Sequence, residues 1–241
     1  IEVIENGVDL ARFAPLDDAA RERERRFWGM SGRRALVVPG RVCAQKNQRE
    51  LLRALAQLRS RGALPSDAKI LFAGRGSPPV YAEALRTYAA LVGLGAHVDF
   101  LGVVGPIERL VAAADGVLLP SRWEGLPNAV VESMACGTPV VVSHAANADA
   151  LVEDGREGLV CEATDAASIA RALERFFALS PAALRAMGAA GRAHASRRFT
   201  LARMIDRTTS VYDRVLARRD RTRAPLRKTS PDSPASEKRA S

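Results

Sequence analysis

The chain has 241 residues, 47% of them hydrophobic, and 36 Lys or Arg against 27 Asp or Glu give a formal net charge of +9. That length and apolar content allow a sizeable core, while no apolar run is long enough to span a membrane. The charge is no nucleic-acid signature: residues 214–241 hold nine Arg or Lys against three Asp or Glu, leaving +3 elsewhere, and the twelve aromatics are not interleaved with basic residues in the folded part.

Residues 1–34 are mixed and charge-rich, with an Asn6-Gly7-Val8-Asp9 turn after the short apolar run Val3-Ile4, the pattern of a linker leaving an earlier domain. The first residue is Ile1 and no signal-peptide pattern follows, so the segment is expected to start inside a longer protein. Strands are predicted at 35–39, 69–73, 97–101, 116–120, 139–143 and 158–161. Helical spacing separates them: residues 47–61 carry Leu51, Leu52, Leu55 and Leu58 on one face, and 80–91 and 107–114 have the same character. A further helix opens at Pro127, placed in its first turn, and stops at Gly137-Thr138-Pro139; a short turn near 149–153 completes the alternation. Strand and helix units of this length imply a doubly wound, six-stranded parallel sheet with helices on both faces. Only helices follow: 165–179, a second opened by Ser180-Pro181, and a third capped by Thr200 and running to about Leu216. Residues 219–241, with Pro225, Pro231 and Pro234 among Ser, Thr and Arg, are expected to be a disordered basic tail. Cys43, Cys136 and Cys161 lack metal or redox spacing and read as reduced, buried thiols in a cytoplasmic setting.

The most informative stretch runs from Pro120 to Glu132. Gly116-Val117-Leu118-Leu119 is a buried strand that feeds a polar loop and then a helix N-terminus, an arrangement that favours anions through unpaired N–H groups and the helix dipole. Glu124 and Glu132 frame this junction. Acids beside an anion site suit a ligand with both phosphate and sugar hydroxyls, which points to a nucleotide sugar. At the end of the first strand, Gly40-Arg41 and Lys46 set two cations at the sheet edge where α/β ligands bind, suited to a diphosphate and to charge developing on a leaving group. Gly74-Arg75-Gly76 reads equally as a tight turn or as part of the site. His144, at a strand end, is the one histidine placed to approach a ligand. Trp28 and Trp123 read as packing residues.

Taken together, these motifs resemble the C-terminal, donor-binding half of a retaining GT-B glycosyltransferase of family 4, the glycosyl transferases group 1. The resemblance runs through Asn6-Gly7-Val8-Asp9, Gly40-Arg41 with Lys46, Ala73-Gly74-Arg75-Gly76, Phe100-Leu101-Gly102, Leu119-Pro120-Ser121, the Glu124 and Glu132 pair, Met134-Ala135-Cys136-Gly137-Thr138-Pro139 and Leu151-Val152-Glu153-Asp154-Gly155. It implies a Rossmann-like domain over 35–199, preceded by an interdomain linker over 1–34. A C-terminal helix over 200–218 should pack back toward an N-terminal domain that this segment lacks. It assigns Arg41 and Lys46 to the diphosphate, Glu124 to the donor sugar and Glu132 to the ribose hydroxyls. Gly40 and the N–H groups of Gly125, Leu126 and Asn128 would contact donor oxygens, and the backbone at Leu101 and Gly102 would face the nucleobase.

The activity implied is transfer of a hexose or N-acetylhexosamine from a UDP- or GDP-sugar to a glycan or lipid-linked acceptor, with retention and without a metal or other cofactor. No Asp-x-Asp motif is present. The enzyme would sit in the cytoplasm, peripheral to the inner face of the membrane, with the basic tail meeting anionic lipid and no nucleic-acid partner. The segment alone is expected to be inactive without its N-terminal domain. A non-catalytic nucleotide-sugar-binding module, or a GT-B epimerase or phosphorylase, is the competing expectation. Two departures from the family pattern stand out: Asn47 replaces the glycine that commonly follows the lysine, and 143–150 lacks the usual glycine pair.

Overall fold

The computed structural model describes residues 2–222. Six strands form one sheet: β1 (Arg34–Pro39), β2 (Ala68–Ala73), β3 (Val98–Gly102), β4 (Gly116–Leu119), β5 (Val140–Ser143) and β6 (Gly158–Cys161). Their spatial order is β3-β2-β1-β4-β5-β6 and every pairing is parallel. This is the doubly wound, Rossmann-like sheet expected from the alternation of apolar runs. The winding reverses between β1 and β4, so the loops leaving those two neighbours part to opposite sides and open a crevice at their carboxyl ends.

Eight helices accompany the sheet among the described residues: α1 (Asp18–Phe27), α2 (Gln48–Ser60), α3 (Pro79–Leu91), α4 (Ile107–Ala113), α5 (Asn128–Ala135), α6 (Ala166–Ala178), α7 (Pro181–Arg198) and α8 (Leu201–Thr222). Alternate residues of each strand feed two cores. Leu36 and Val38 of β1 join Leu51, Leu52, Leu55 and Leu58 of α2 and Ile169 and Leu173 of α6 on one face. Ala35 and Val37 meet Leu110, Val130 and Met134 on the other. Each fully buried leucine contributes about 1.5–3 kcal/mol, so the α2 stripe is a main reason this helix stays on the sheet.

The lead-in holds a helix that periodicity did not reveal. Only Ala20 and Arg25 of α1 are buried. A charged anchor holds it instead. Arg25 donates to the carbonyls of Ala113 and Met30 at 3.0 and 2.9 Å and pairs with Asp115, which also takes Arg21 at 2.7 Å and the Ala35 N–H at 2.8 Å. Residues 5–8 pack against the end of α7: Glu5 pairs with Arg198, and the Val8 N–H donates to the Phe199 carbonyl at 2.7 Å.

Pro127 stands one position before the helix, as the N-cap of α5, rather than inside its first turn. The turn expected near 149–153 lies earlier, as two short 3-10 turns, His144–Ala146 and Ala148–Ala150. The last helix runs past Leu216 to Thr222, so residues 219–222 are helical, and the remainder of the expected tail, 223–241, lies outside the described residues. Contacts divide the chain into a unit ending at Met204 and a second from Ile205 onward, in which α8 exposes Ile205, Tyr212, Val215 and Leu216. No helix among the described residues is long and apolar enough to cross a membrane.

Candidate functional site

The crevice between β1 and β4 is built from two loops that brace one another. After β1 the ladder continues for one residue, with Gly40 N–H donating to the Ala73 carbonyl at 2.9 Å. Gly40 then turns with φ +113°, a conformation that side-chain-bearing residues rarely adopt. A Cβ there would lie 3.2 Å from Lys46 Cε, so the lysine stem rests against the bare backbone. Gly74, at the end of β2, allows a closer approach still: a Cβ would lie 1.8 Å from the Gly40 carbonyl oxygen.

Lys46 is carried on a 3-10 turn, Ala44–Lys46, that ends at Asn47 in the left-handed region with φ 59°. This explains the departure from glycine at that position. Asparagine is among the few residues that tolerate φ > 0, and here its amide does further work. Asn47 is 1% exposed; its Nδ2 donates to the carbonyls of Pro120 (3.1 Å) and Ala163 (2.5 Å), and its Oδ1 accepts from Arg122 Nε at 3.1 Å. One side chain thus ties the turn after β1 to the loops after β4 and β6. Two more bonds join the first pair of loops, Arg122 N–H to the Gln45 carbonyl at 2.8 Å and Gln45 Nε2 to the Trp123 carbonyl at 3.0 Å. Beyond them, Glu124 N–H donates to the Ala145 carbonyl at 3.2 Å.

The consequence is the central contact of the molecule. Lys46 Nζ meets Glu124 Oε1 at 2.6 Å, with the side chains only 16% and 11% exposed. Two residues separated by 78 positions are therefore brought together at the switch point of the sheet. The other two predicted residues do not join this pair directly. Arg41 is exposed and makes no ion pair among the described residues; its carbonyl accepts from Gln48 Nε2 at 2.9 Å. Glu132, one turn into α5, lines a different cavity of about 100 Å³ with Asn6, Asp9, Phe13 and Asn128. Burial pushes the Glu132 carboxyl above its usual range, nearby Arg12 opposes the shift, and Glu108 adds to it. Asn6 Nδ2 donates to Asn128 Oδ1 at 2.9 Å across the rim of that cavity.

The N–H groups of Gly125, Leu126 and Asn128, predicted to bind oxygens, find no acceptor among the described residues. They remain available to a ligand beside the Lys46–Glu124 pair. Gly102 lines a third cavity of about 180 Å³, at the carboxyl ends of β2 and β3, with Val42, Gly74, Arg75, Gly76, Arg86 and Phe100 among its walls. Leu101 packs into the core on the opposite face. His144 pairs at 3.6 Å with Glu162, and in the neighbouring turn Ala150 takes φ +49°. Among the described residues no group of three His, Cys, Asp or Glu side chains is placed to hold a metal ion.

Sequence reasoning missed three features. Asn47 stands out in the sequence only as a departure from glycine, yet it is the strut of the site. Arg75 and Arg86 share a cavity although 11 residues apart on a loop and a helix, a juxtaposition with no local signal. Trp123 is 58% exposed, which corrects its reading as a packing residue: its carbonyl is pinned while its ring faces water.

A sequence profile of the family described as Glycosyl transferases group 1 matches residues 33–178. The chain is 37% identical over 202 residues to the GDP-mannose-dependent alpha-(1-6)-phosphatidylinositol monomannoside mannosyltransferase of Mycolicibacterium smegmatis, covering 80% of this chain and 50% of the relative. Among solved structures it is similar to Anabaena HepE in complex with UDP and glucose, with a TM-score of 0.80, 25% identity, and coverage of 88% of this chain and 56% of that one. The fold is shared with the C-terminal domain of a glycosyl transferase group 1 family protein from Francisella tularensis, at TM-score 0.71 and 20% identity, covering 81% of this chain and all of that domain. The chain spans about half the length of the curated relatives it matches.

Proposed function

Because the chain belongs to the glycosyl transferases group 1 family, as the C-terminal half of a GT-B fold, we propose that it is the donor-binding half of a retaining, metal-independent sugar transferase. The donor is a GDP- or UDP-activated hexose or N-acetylhexosamine, the two nucleotide classes named for its relatives. The acceptor is a glycan or a lipid-linked saccharide, met at the inner face of the membrane from the cytoplasmic side. Three buried free thiols suit that reduced setting, and burial pushes those of Cys136 and Cys161 up to about 12.

The observation that carries the proposal is the Lys46–Glu124 pair at the β1/β4 crevice. A lysine ammonium has three donors, so Nζ can keep Glu124 while turning another N–H to a phosphate oxygen. In this reading Lys46 and the exposed Arg41 hold the diphosphate and offset the charge that develops on it as the glycosidic bond breaks. Glu124 accepts from hydroxyls of the donor sugar, and its own pairing with Lys46 fixes both groups before substrate arrives. The free N–H groups of Gly125, Leu126 and Asn128 bind remaining oxygens. Glu132 accepts from the ribose hydroxyls, and the cavity beside Gly102 takes the base. The departing phosphate helps remove the acceptor proton on the same face as attack, which yields retention with neither glutamate forming a covalent bond to sugar. The apolar residues exposed on α8 offer a surface for the N-terminal half.

The test is Lys46→Ala in the complete two-domain polypeptide. Loss of one preorganised donor to developing charge costs on the order of 100- to 1000-fold in kcat. Turnover within a few-fold of the parent would refute the assignment. Product stereochemistry by NMR and activity in excess chelator check retention and metal independence.

A further inference from the structure

Resting on the reading above, we infer that Arg75 and Arg86 make the base-binding cavity selective for guanine, so that the donor is a GDP-sugar rather than a UDP-sugar. The walls decide the chemistry. Val42, Pro79, Ala82 and Phe100 supply an apolar surface, and among the described residues the only charged side chains lining the cavity are the guanidiniums of Arg75 and Arg86. A guanidinium is donor-only. A cavity with two such forks and no carboxylate favours a base edge presenting adjacent acceptors.

Of guanine and uracil, the bases of the two proposed donors, only guanine offers that edge, in O6 and N7, which arginine takes with both prongs of its fork. Adenine presents an amino donor beside N7, and the donors of the cavity would oppose it. In uracil a ring N–H stands between the two carbonyls, so only one oxygen can be met at a time. With a volume of about 180 Å³, space for roughly six waters, the cavity does not restrict entry to a single ring.

Both arginines are mounted for the task. The backbone of Arg75 is pinned, since its carbonyl accepts from Val42 N–H at 2.9 Å and the next residue, Gly76, bridges to Val42. Its side chain is exposed and makes no ion pair among the described residues, so both prongs are open to a ligand. Arg86 lies 5.2 Å from the Phe100 ring centre and is held at 2.9 Å by Glu83, which does not itself line the cavity. Arg86 therefore presents a fixed flat cation beside the more adaptable Arg75.

Calorimetry on the 241-residue chain with GDP, UDP, ADP, IDP and 7-deaza-GDP tests this, because the diphosphate is constant and only the base varies. GDP and IDP, which share O6 and N7, are expected to bind about ten- to a hundred-fold more tightly than UDP or ADP. Removal of N7 in 7-deaza-GDP should forfeit most of that gain. Arg75→Lys keeps the charge but loses the fork, so it should bring the GDP-to-UDP ratio to within about threefold, chiefly by weakening GDP. Equal or tighter binding of UDP, or a ratio unmoved in Arg75→Lys, overturns the inference and leaves the transferase reading intact. Failure of every nucleotide to bind overturns the donor reading, and this inference with it.

Discussion

Replacement of Asn47 by Ala and by Gly separates the two tasks of this residue. Either change leaves the carbonyls of Pro120 and Ala163 without the amide that caps them and strips Arg122 Nε of its acceptor. A buried acceptor left unmet costs about 1–3 kcal/mol, so the two carbonyls together set a loss of roughly 2–4 kcal/mol for Asn47→Gly, allowing for relaxation. Alanine adds the cost of a Cβ at φ 59°, about 1 kcal/mol. Asn47→Ala is therefore expected to lose roughly 3–5 kcal/mol and to be the worse of the two. Urea unfolding monitored by circular dichroism reads this as two successive drops in midpoint at constant slope. Equal midpoints for Ala and Gly would show that backbone strain plays no part, and a Gly variant within 0.5 kcal/mol of the parent would refute the strut itself. Because Asn47 follows Lys46 directly, nucleoside diphosphate affinity should fall in both variants even at temperatures where they remain folded.

Three further outcomes follow from the geometry. If Glu132 accepts from the ribose hydroxyls as proposed, nucleotide binding should weaken on acidification as its carboxylate gains a proton. Since burial raises its pKa, with Arg12 opposing, the loss begins at higher pH than for an ordinary carboxyl of 4.5, whereas Glu132→Gln should bind more weakly with a flatter pH profile. The same raised pKa means that the ionised carboxyl opposes folding above it, so Glu132→Gln should be neutral or stabilising near pH 7 by thermal unfolding. Gly74→Ala would drive a methyl into the Gly40 carbonyl, and backbone on both sides would have to move. A loss of several kcal/mol, or a collapse in nucleotide affinity if the loops part instead, is expected; a silent variant would contradict the close approach.

What the sequence disclosed and what it withheld follow physical lines. The strands were legible because Val-Leu-Leu and Val-Val-Val runs buried on both faces carry their own signature, and α2 because its leucines repeat at helical spacing. Helix α1 was not, since its anchor is Arg25 on Asp115, a polar contact 90 residues distant, and its sequence reads as a solvated charge run. The pairing of Lys46 with Glu124 was foreseeable from the sheet order, which places the ends of β1 and β4 side by side. The separate cavity around Glu132 was not, because it needs residues 6–9 to lie beside α5, with Asn6 meeting Asn128 across 122 positions of chain. For the same reason the arginines of the third cavity were invisible: one stands on a loop, the other on a helix, and only tertiary packing makes them neighbours.

The stitching of Val42 to Arg75 and Ser77 has an evolutionary and engineering corollary. The segment proposed to read the nucleobase and the segment proposed to grip the leaving group share main-chain bonds, so neither can be reshaped without disturbing its neighbour. On the proposed reading, attempts to change the donor by swapping point residues in one segment should sacrifice turnover, whereas transplanting residues 40–47 and 74–77 together, as a matched cassette, should preserve it.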